Sequence, residues 1–380
     1  MKVAGIVSEY NPFHNGHLYQ IEETKKNTGC DCTVAVMSGN FVMRGETALY
    51  NKFIRAKSAV LGGVDLVLEL SVPYALSSSE YFAYGGVSVL DSLNVIDFIS
   101  FGSEEGDISS LEKIADCLLK SDAVEKIKKN QKKGISVFSA ISEEFSDYDK
   151  KILEKPNNIL AINYIKALKR LNSGIIPYTV KRKNVGYNDS NAKESFASAT
   201  GIREMLKNKE DIKGFIPESS YDLIKKEKPV FEEAINDIIT YSLRIKKPED
   251  LLKYADVNEG LENLIIKTAL NEYGIKDIAM GIKSKRYTYT RIKRILYNIL
   301  LDIDKCEREI KPQFARVLAF NEKGKELLSR IKKKSDIPVF TNITKDMYEK
   351  YEILNTDLKA SHIYHLLTGE KKGYTDKILL

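Results

Sequence analysis

The chain has 380 residues, 43% of them hydrophobic and 29% charged, which excludes a disordered or fibrous protein and gives about two or three globular domains. No apolar run approaches the roughly 18 residues that span a bilayer, and Met1-Lys2-Val3-Ala4-Gly5 reads straight into a strand rather than a signal peptide, so a cytoplasmic protein without a membrane is expected. A net charge of +6 is too mild by itself to mark a nucleic-acid binder, and Cys30, Cys32, Cys117 and Cys306 lack zinc or redox spacing and read as reduced thiols.

Residues 2–7 form a short apolar run with nothing charged after Lys2, as in a strand buried on both faces, and Asn11-Pro12 interrupts it with turn chemistry. Leu18, Ile21 and the stem of Lys25 then recur at helical spacing while Glu22, Glu23 and Lys26 are polar, so an amphipathic helix is expected from about Gly16. Between strand and helix stand His14 and His17, two of the four histidines in the chain. A strand leading into a helix amino end offers free backbone N–H groups and the positive pole of the macrodipole to a phosphate. Three residues apart, the imidazoles can point the same way, and Gly16 lets a flat ligand such as a purine lie against the backbone. They would hydrogen-bond an α,β-phosphate bridge and stabilise the charge of an adenylyl transfer. A chance match is the alternative, because His-x-Gly-His alone is a short pattern; its place after an amino-terminal buried strand favours chemistry.

Thr33-Val34-Ala35-Val36-Met37 is a second apolar run, closed by Ser38-Gly39-Asn40-Phe41. The β-α-β order implies a parallel sheet that binds ligands at the carboxyl ends of its strands. Met43-Arg44-Gly45-Glu46, with Arg44 a candidate anion contact, precedes a helical stretch to about Gly62. Val64-Asp65-Leu66-Val67-Leu68-Glu69-Leu70 reads as a third strand and residues 78–93 as a helix. Ile96-Asp97-Phe98-Ile99-Ser100-Phe101-Gly102 reads as a fourth strand, whose terminal Gly102 marks backbone approached by a ligand. Residues 108–119 suit a helix, and the five lysines of residues 124–133 suit a solvated helix face. Pro156-Asn157-Asn158 precedes a periodic helix over residues 159–171 that an asparagine is placed to cap. A strand over residues 175–180 ends in Lys181-Arg182-Lys183, three bases suited to a triphosphate.

Phe196-Ala197-Ser198-Ala199-Thr200-Gly201-Ile202-Arg203 opens a helix with small hydroxyl residues and an arginine. Ser198 is a candidate N-cap, and Thr200 with Arg203 would face the anion at the helix amino end; by chemistry alone, capping and phosphate binding are served equally. From residue 214 the pattern turns helical, with apolar periodicity over residues 231–243, 261–273 and 290–303. Within it, residues 283–294 place six bases and two tyrosines at a helix start. Lys285, Arg286, Arg291 and Arg294 would neutralise phosphates while Tyr287 and Tyr289 stack on unpaired bases of an RNA loop, the alternative being a solvated basic helix end. Residues 339–340 and 353–354 are possible strands before a helix over residues 358–367, and His362 and His365 lack a partner at metal spacing.

The run Glu9-Tyr10-Asn11-Pro12-Phe13-His14-Asn15-Gly16-His17 resembles the HIGH-type signature of the nucleotidyltransferase superfamily and is close to that of the bacterial tRNA(Met) cytidine acetate ligases. Ser198-Ala199-Thr200-Gly201-Ile202-Arg203 resembles the superfamily's second signature, Ser-x-Thr-x-Ile-Arg, and the similarity to the ligase family extends over essentially the whole chain. The resemblance implies an α/β fold: a Rossmann-like nucleotidyltransferase parallel sheet over residues 1–213, with a mainly helical domain over residues 214–380 as the tRNA-binding part. It implies ATP with Mg2+, acetate as the carboxylate, acetyl-adenylate as intermediate and the wobble cytidine of elongator tRNA(Met) as acceptor, with no protein partner. Catalytic roles fall to His14 and His17. The family's ATP contacts carry over to Val7, Ser8, Glu9, Tyr10, Asn11, Pro12, Phe13, His14, Asn15, Gly16, His17, Leu18, Tyr19, Gln20, Gly102, Asn157 and Arg182, joined by Ser198, Thr200 and Arg203 of the second signature. Asn157 is chosen over Asn158 by its spacing to Arg182, and Met43 stands where the family pattern has glutamine. Two competing readings are an adenylyltransferase of cofactor synthesis, whose chains are usually much shorter, and a nucleotide- or RNA-binding protein without turnover.

Overall fold

The computed structural model describes residues 1–120, 145–183 and 196–369; the lysine-rich run at residues 124–133 lies outside them. The apolar runs become strands: β1 (Val3–Ser8), β2 (Cys32–Ser38), β5 (Leu66–Leu70), β6 (Phe98–Ser103) and β7 (Ile176–Lys181). Short strands β3 (Phe41–Val42) and β4 (Glu46–Thr47) form a separate antiparallel hairpin. Every residue of β2 and β5 is buried, as continuous apolar runs covered on both faces require. With β8 (Ala315–Phe320) and β9 (Val339–Phe340), the seven-stranded sheet has the order β7-β6-β1-β2-β5-β8-β9, and its first five strands are parallel. Chain order runs from β1 to β2 and β5 on one side and to β6 and β7 on the other, so the strand order reverses at β1. An open parallel sheet binds ligands at that reversal.

Helices cover both faces. Against one lie α4 (Ser79–Ser92), α5 (Ile108–Leu119) and, after the short α6 (Asp147–Leu153), α7 (Pro156–Leu171); they bury Phe82, Leu90, Ile114 and Ala161 on Val7, Val34 and Leu68. Helix α4 approaches β1 so closely that a Cβ on Gly86 would lie 2.5 Å from Val7 Cγ1. Against the other face lie α1 (Asn15–Thr28) and α2 (Lys52–Leu61), with Ile21, Phe53 and Ala56 on Ile6, Ala35 and Val67; the short α3 is Val72–Ala75.

Helices α8 (Ala199–Lys207) and α9 (Glu218–Ile224) form a small apolar cluster with Leu49 and Tyr50. Helices α10 (Asn236–Arg244), α11 (Leu261–Asn271), α12 (Gly274–Ile282) and α13 (Tyr289–Leu301) form a helical core around Ile239, Ile265, Ile278 and Leu296. The remainder keeps the expected strand at residues 339–340 and the helix over 358–367 but otherwise departs from the sequence expectation. Residues 315–320, an apolar run after Pro312, form β8 (Ala315–Phe320), which enters the main sheet antiparallel to β5, and β9 (Val339–Phe340) follows α14 (Glu322–Lys334) at the edge. Residues 353–354 are not a strand: after α15 (Lys345–Lys350), they open α16 (Glu352–Thr368), because Ile353, Leu354, Leu358 and Tyr364 share a helical rather than an alternating spacing.

The third strand begins at Leu66, not Val64, since the Asp65 carboxylate is taken by Thr33 N at 2.8 Å, Thr33 Oγ1 at 3.0 Å and Asn321 Nδ2 at 2.9 Å. The four cysteines form no disulfide. Among the described residues no helix is long and apolar enough to cross a membrane, and no group of three or more His, Cys, Asp or Glu side chains could hold a metal ion.

Candidate active site

The β1–α1 loop is organised by its two histidines. His14 is the N-cap of α1: its Nδ1 accepts from Gly16 N at 3.1 Å, while its own N–H donates to His17 Nδ1 at 3.3 Å. Each imidazole thus serves in a reciprocal capping box. The rings stack with centroids 3.7 Å apart and an interplanar angle of 19°, and Tyr10 meets His17 edge-on at 4.8 Å. An imidazole that accepts through Nδ1 carries its proton on Nε2, so each ring keeps an Nε2–H to give to a ligand. Burial, reinforced by the nearby Arg182 guanidinium, lowers the His14 pKa to about 3; burial, with His14 and Arg182, holds His17 well below its ordinary value. Both histidines are therefore neutral hydrogen-bond donors at neutral pH.

Beneath the loop, Arg55 is 1% exposed and donates to the carbonyls of Glu9, Ser38, Gly39 and Tyr50, pinning the carboxyl ends of β1 and β2 to the start of α2. Asn11 Oδ1 accepts from Leu49 N at 2.7 Å, and its carbonyl accepts from Arg203 at 3.0 Å.

A cavity of about 210 Å³ opens in front of the histidines, lined by His14, Gly16, His17, Tyr19, Gln20, Gly102, Val180, Lys181, Arg182, Lys183, Phe196, Ala197 and Ser198. Its walls come from β1–α1, the end of β6, the end of β7 and the segment before α8, which is the reversal point of the sheet. Arg182 packs beside Gly102, its Cγ at ordinary contact distance, 3.4 Å, from where a Cβ would lie. Lys183 Nζ stands 4.0 Å from the Tyr19 ring centroid and 5.7 Å from that of Phe196. Three basic residues and two neutral donors lining one cavity suit a polyanion, and the Tyr19–Phe196 pair supplies an apolar wall.

Most of the predicted ATP contacts fall into three groups. His14, Gly16, His17, Tyr19, Gln20, Gly102, Arg182 and Ser198 line the cavity. Val7, Tyr10, Asn11 and Phe13 are buried beneath it, Leu18 packs into the same core, and Asn15 donates to Gly214 O at 3.0 Å. Asn157 and Asn158 do not cap their helix, which starts one residue earlier, at Pro156. Asn158 Oδ1 instead accepts from Glu104 N at 2.9 Å and Glu105 N at 3.0 Å, and Asn157 Nδ2 donates to Glu104 Oε1 at 2.6 Å, so both hold the turn after Gly102.

Ser198 caps α8 by accepting from Gly201 N at 3.1 Å. Arg203 gives Nη2 to Thr200 Oγ1 and Glu46 Oε2, both at 3.3 Å, and Arg44 reaches Thr200 Oγ1 at 3.4 Å. Glu9 accepts from Met43 N at 2.8 Å, and burial raises its pKa. Phe196 and Glu46 were missed as site residues by sequence reasoning. The only signal for Phe196 was an aromatic directly before the hydroxyl-rich run; for Glu46 there was none, because its partners lie far off in the chain.

The basic segment before α13 is more engaged than its sequence suggests. Arg286 pairs with Glu259, and Arg291 with Asp256 at 3.1 Å, while both guanidinium groups lie over Tyr287, at 5.6 and 5.0 Å. Tyr289 is half-buried against the helical core, Arg294 donates to Met43 O at 3.5 Å, and Lys285 is exposed.

Residues 1–377 match the family described as HIGH Nucleotidyl Transferase. The tRNA(Met) cytidine acetate ligase of Thermoanaerobacter sp. (strain X514) is 44% identical over 384 residues, covering 96% of this chain and 95% of that protein. The protein of the same name from Clostridium perfringens (strain SM101 / Type A) is 38% identical, covering 100% of this chain and 98% of that one. A crystal structure of Thermotoga maritima TmcAL bound with alpha-thio ATP matches with a TM-score of 0.89 at 34% identity, covering 98% of this chain and 96% of that chain. The two signatures, the sheet that unites them and these likenesses agree: the chain belongs to the HIGH nucleotidyl transferases and, among them, to the tRNA(Met) cytidine acetate ligase family.

Proposed function

We infer that the protein is an ATP-dependent ligase that activates acetate as acetyl-adenylate and transfers the acetyl group to the wobble cytidine of elongator tRNA(Met). The observation that carries this is the cavity in which stacked, neutral His14 and His17 face Lys181, Arg182 and Lys183. Acetate attacks the α-phosphorus of ATP in line; the bond to the bridging oxygen breaks and pyrophosphate leaves. The histidine Nε2–H groups donate to the oxygens that gain charge, and the three bases and Arg203 hold the departing pyrophosphate. The exocyclic amine of the cytidine then attacks the acetyl carbon, AMP leaves, and the amine loses a proton. No side chain forms a covalent intermediate.

Gly16, Gly102 and Asn157 fall to the nucleotide side, with Tyr19 and Phe196 offering an apolar wall. Mg2+ would enter with ATP and would supply charge neutralisation to the phosphates. Residues 214–380 take the RNA-binding role, through Lys285, Arg286, Tyr287, Tyr289, Arg291 and Arg294. A cytoplasmic location follows from the substrate.

Exchange of labelled pyrophosphate into ATP tests the first half-reaction. Incorporation that requires acetate is expected. Binding of tRNA without exchange would leave a binding protein, and exchange indifferent to acetate would remove acetate as the carboxylate.

A further inference from the structure

Between the cavity and α13 stands the β3–β4 hairpin, to which neither signature assigns a role. Glu46 in that hairpin shares its carboxylate: Oε2 accepts from Arg203 at 3.3 Å, and Oε1 from Lys293 at 3.3 Å. Lys293 is 3% exposed and also pairs with Glu232. One carboxylate thus joins α8, which carries the second signature, to the helix opened by the basic segment.

The joint is stiff. Gly45 has φ +68°, and a Cβ on it would lie 2.7 Å from Arg294 N and 2.9 Å from the Lys293 carbonyl carbon, so hairpin and helix backbones are in direct contact. In the same turn of the hairpin, Met43 N donates to Glu9 in the histidine loop. A displacement of α13 passes through packed backbone to Glu9 and Arg203, with no slack loop to absorb it.

We propose that Glu46 is a positioning residue that couples RNA engagement of the segment opening α13 to the placement of Arg203 on the phosphates of ATP. The inference rests on the function given above. Arg286 and Arg291 are paired to Glu259 and Asp256 in the free protein. RNA phosphates compete for those guanidinium groups, release the ties that hold the start of α13, and so shift the lysine against which Glu46 leans. Affinity for ATP then depends on RNA, and by linkage affinity for RNA depends on ATP by the same factor.

The test is the KM for ATP in acetate-dependent pyrophosphate exchange, with and without saturating tRNA(Met) transcript carrying a wobble uridine, so that transfer does not drain the adenylate. In the wild type, RNA is expected to change this KM by at least about fivefold, the lower end of ordinary coupling between sites, with kcat moving less. In Glu46→Gln, which keeps size and packing but loses the shared charge, the RNA effect is expected to vanish while filter binding of the transcript persists. Lys293→Gln approaches the same link from the other side and decides the matter should Glu46→Gln fail to fold by circular dichroism. A wild-type KM that RNA moves less than about fivefold, or an RNA effect that survives both substitutions, overturns the coupling. Absence of exchange in the wild type, with or without RNA, overturns instead the functional reading on which the coupling rests.

Discussion

His14 and His17 are held face to face, 3.7 Å apart, by the capping hydrogen bonds each makes to the backbone of the other's turn. That geometry commits both Nδ1 atoms to the fold and both Nε2–H groups to a ligand. His17→Ala is expected to lower acetate-dependent exchange by about 10²–10³-fold, the usual effect of removing a preorganised donor, while filter binding of tRNA is unchanged. Neutrality of the pair also has a signature in stability. The His14 pKa is lowered from 6.5 to about 3, so the unfolded chain takes up a proton that the folded one refuses as pH falls below 6.5. Stability is therefore full above that pH and declines below it, by about 1.4 kcal/mol per pH unit from this group alone. Urea midpoints between pH 7 and 5 measure the decline, and His14→Asn is expected to flatten it. At this scale the histidines, Gly102, Arg182 and Ser198 were legible in the sequence because each sits at a strand end or helix start. Arg55, Glu46 and Phe196 were not, since their roles come from partners brought close only by the fold.

Among the elements, the parallel strands announced themselves as short apolar runs broken by turn residues, though their order in the sheet did not. Strand β8 did not: it follows a long helical stretch and pairs with β5, about 250 residues earlier in sequence, for example Leu66 with Phe320. That the asparagines at the start of α7 do not cap it was hidden for a related reason, since their partners, the backbone and carboxylate of residues 104–105, are distant in the chain. Close packing of α4 on β1 sets how firmly the histidine loop is seated. Gly86→Ala places a methyl group 2.5 Å from Val7 Cγ1 and is expected to destabilise the protein by about 1–3 kcal/mol, read as a lowered urea midpoint with unchanged slope.

Across the whole molecule, the carboxyl-terminal part is stitched into the sheet rather than appended to it. Glu69 on β5 is buried with Lys52 of α2 at 2.8 Å and Arg316 of β8 at 3.4 Å, and Lys52 also reaches Ser361 of α16 at 3.1 Å. Nearby, Asp357 accepts from Val72 N at 2.7 Å, and burial beside Glu69 pushes its pKa up to about 7. Glu69→Ala removes the carboxylate that two buried cations share and is expected to cost about 3–5 kcal/mol, detectable as a large fall in melting temperature. A helical second half was legible from periodicity; its return to the first half was not, because charged residues such as Lys52, Glu69 and Arg316 read as surface until the fold buries them. In the proposed reaction, ATP activation at the histidine cavity serves acetylation of tRNA(Met). Mass spectrometry of the nucleosides of elongator tRNA(Met), after incubation with the purified protein, ATP and acetate, tests it most directly. Acetylcytidine from the wobble position, absent when ATP or acetate is omitted, is the predicted result; unmodified cytidine under complete conditions would contradict the account.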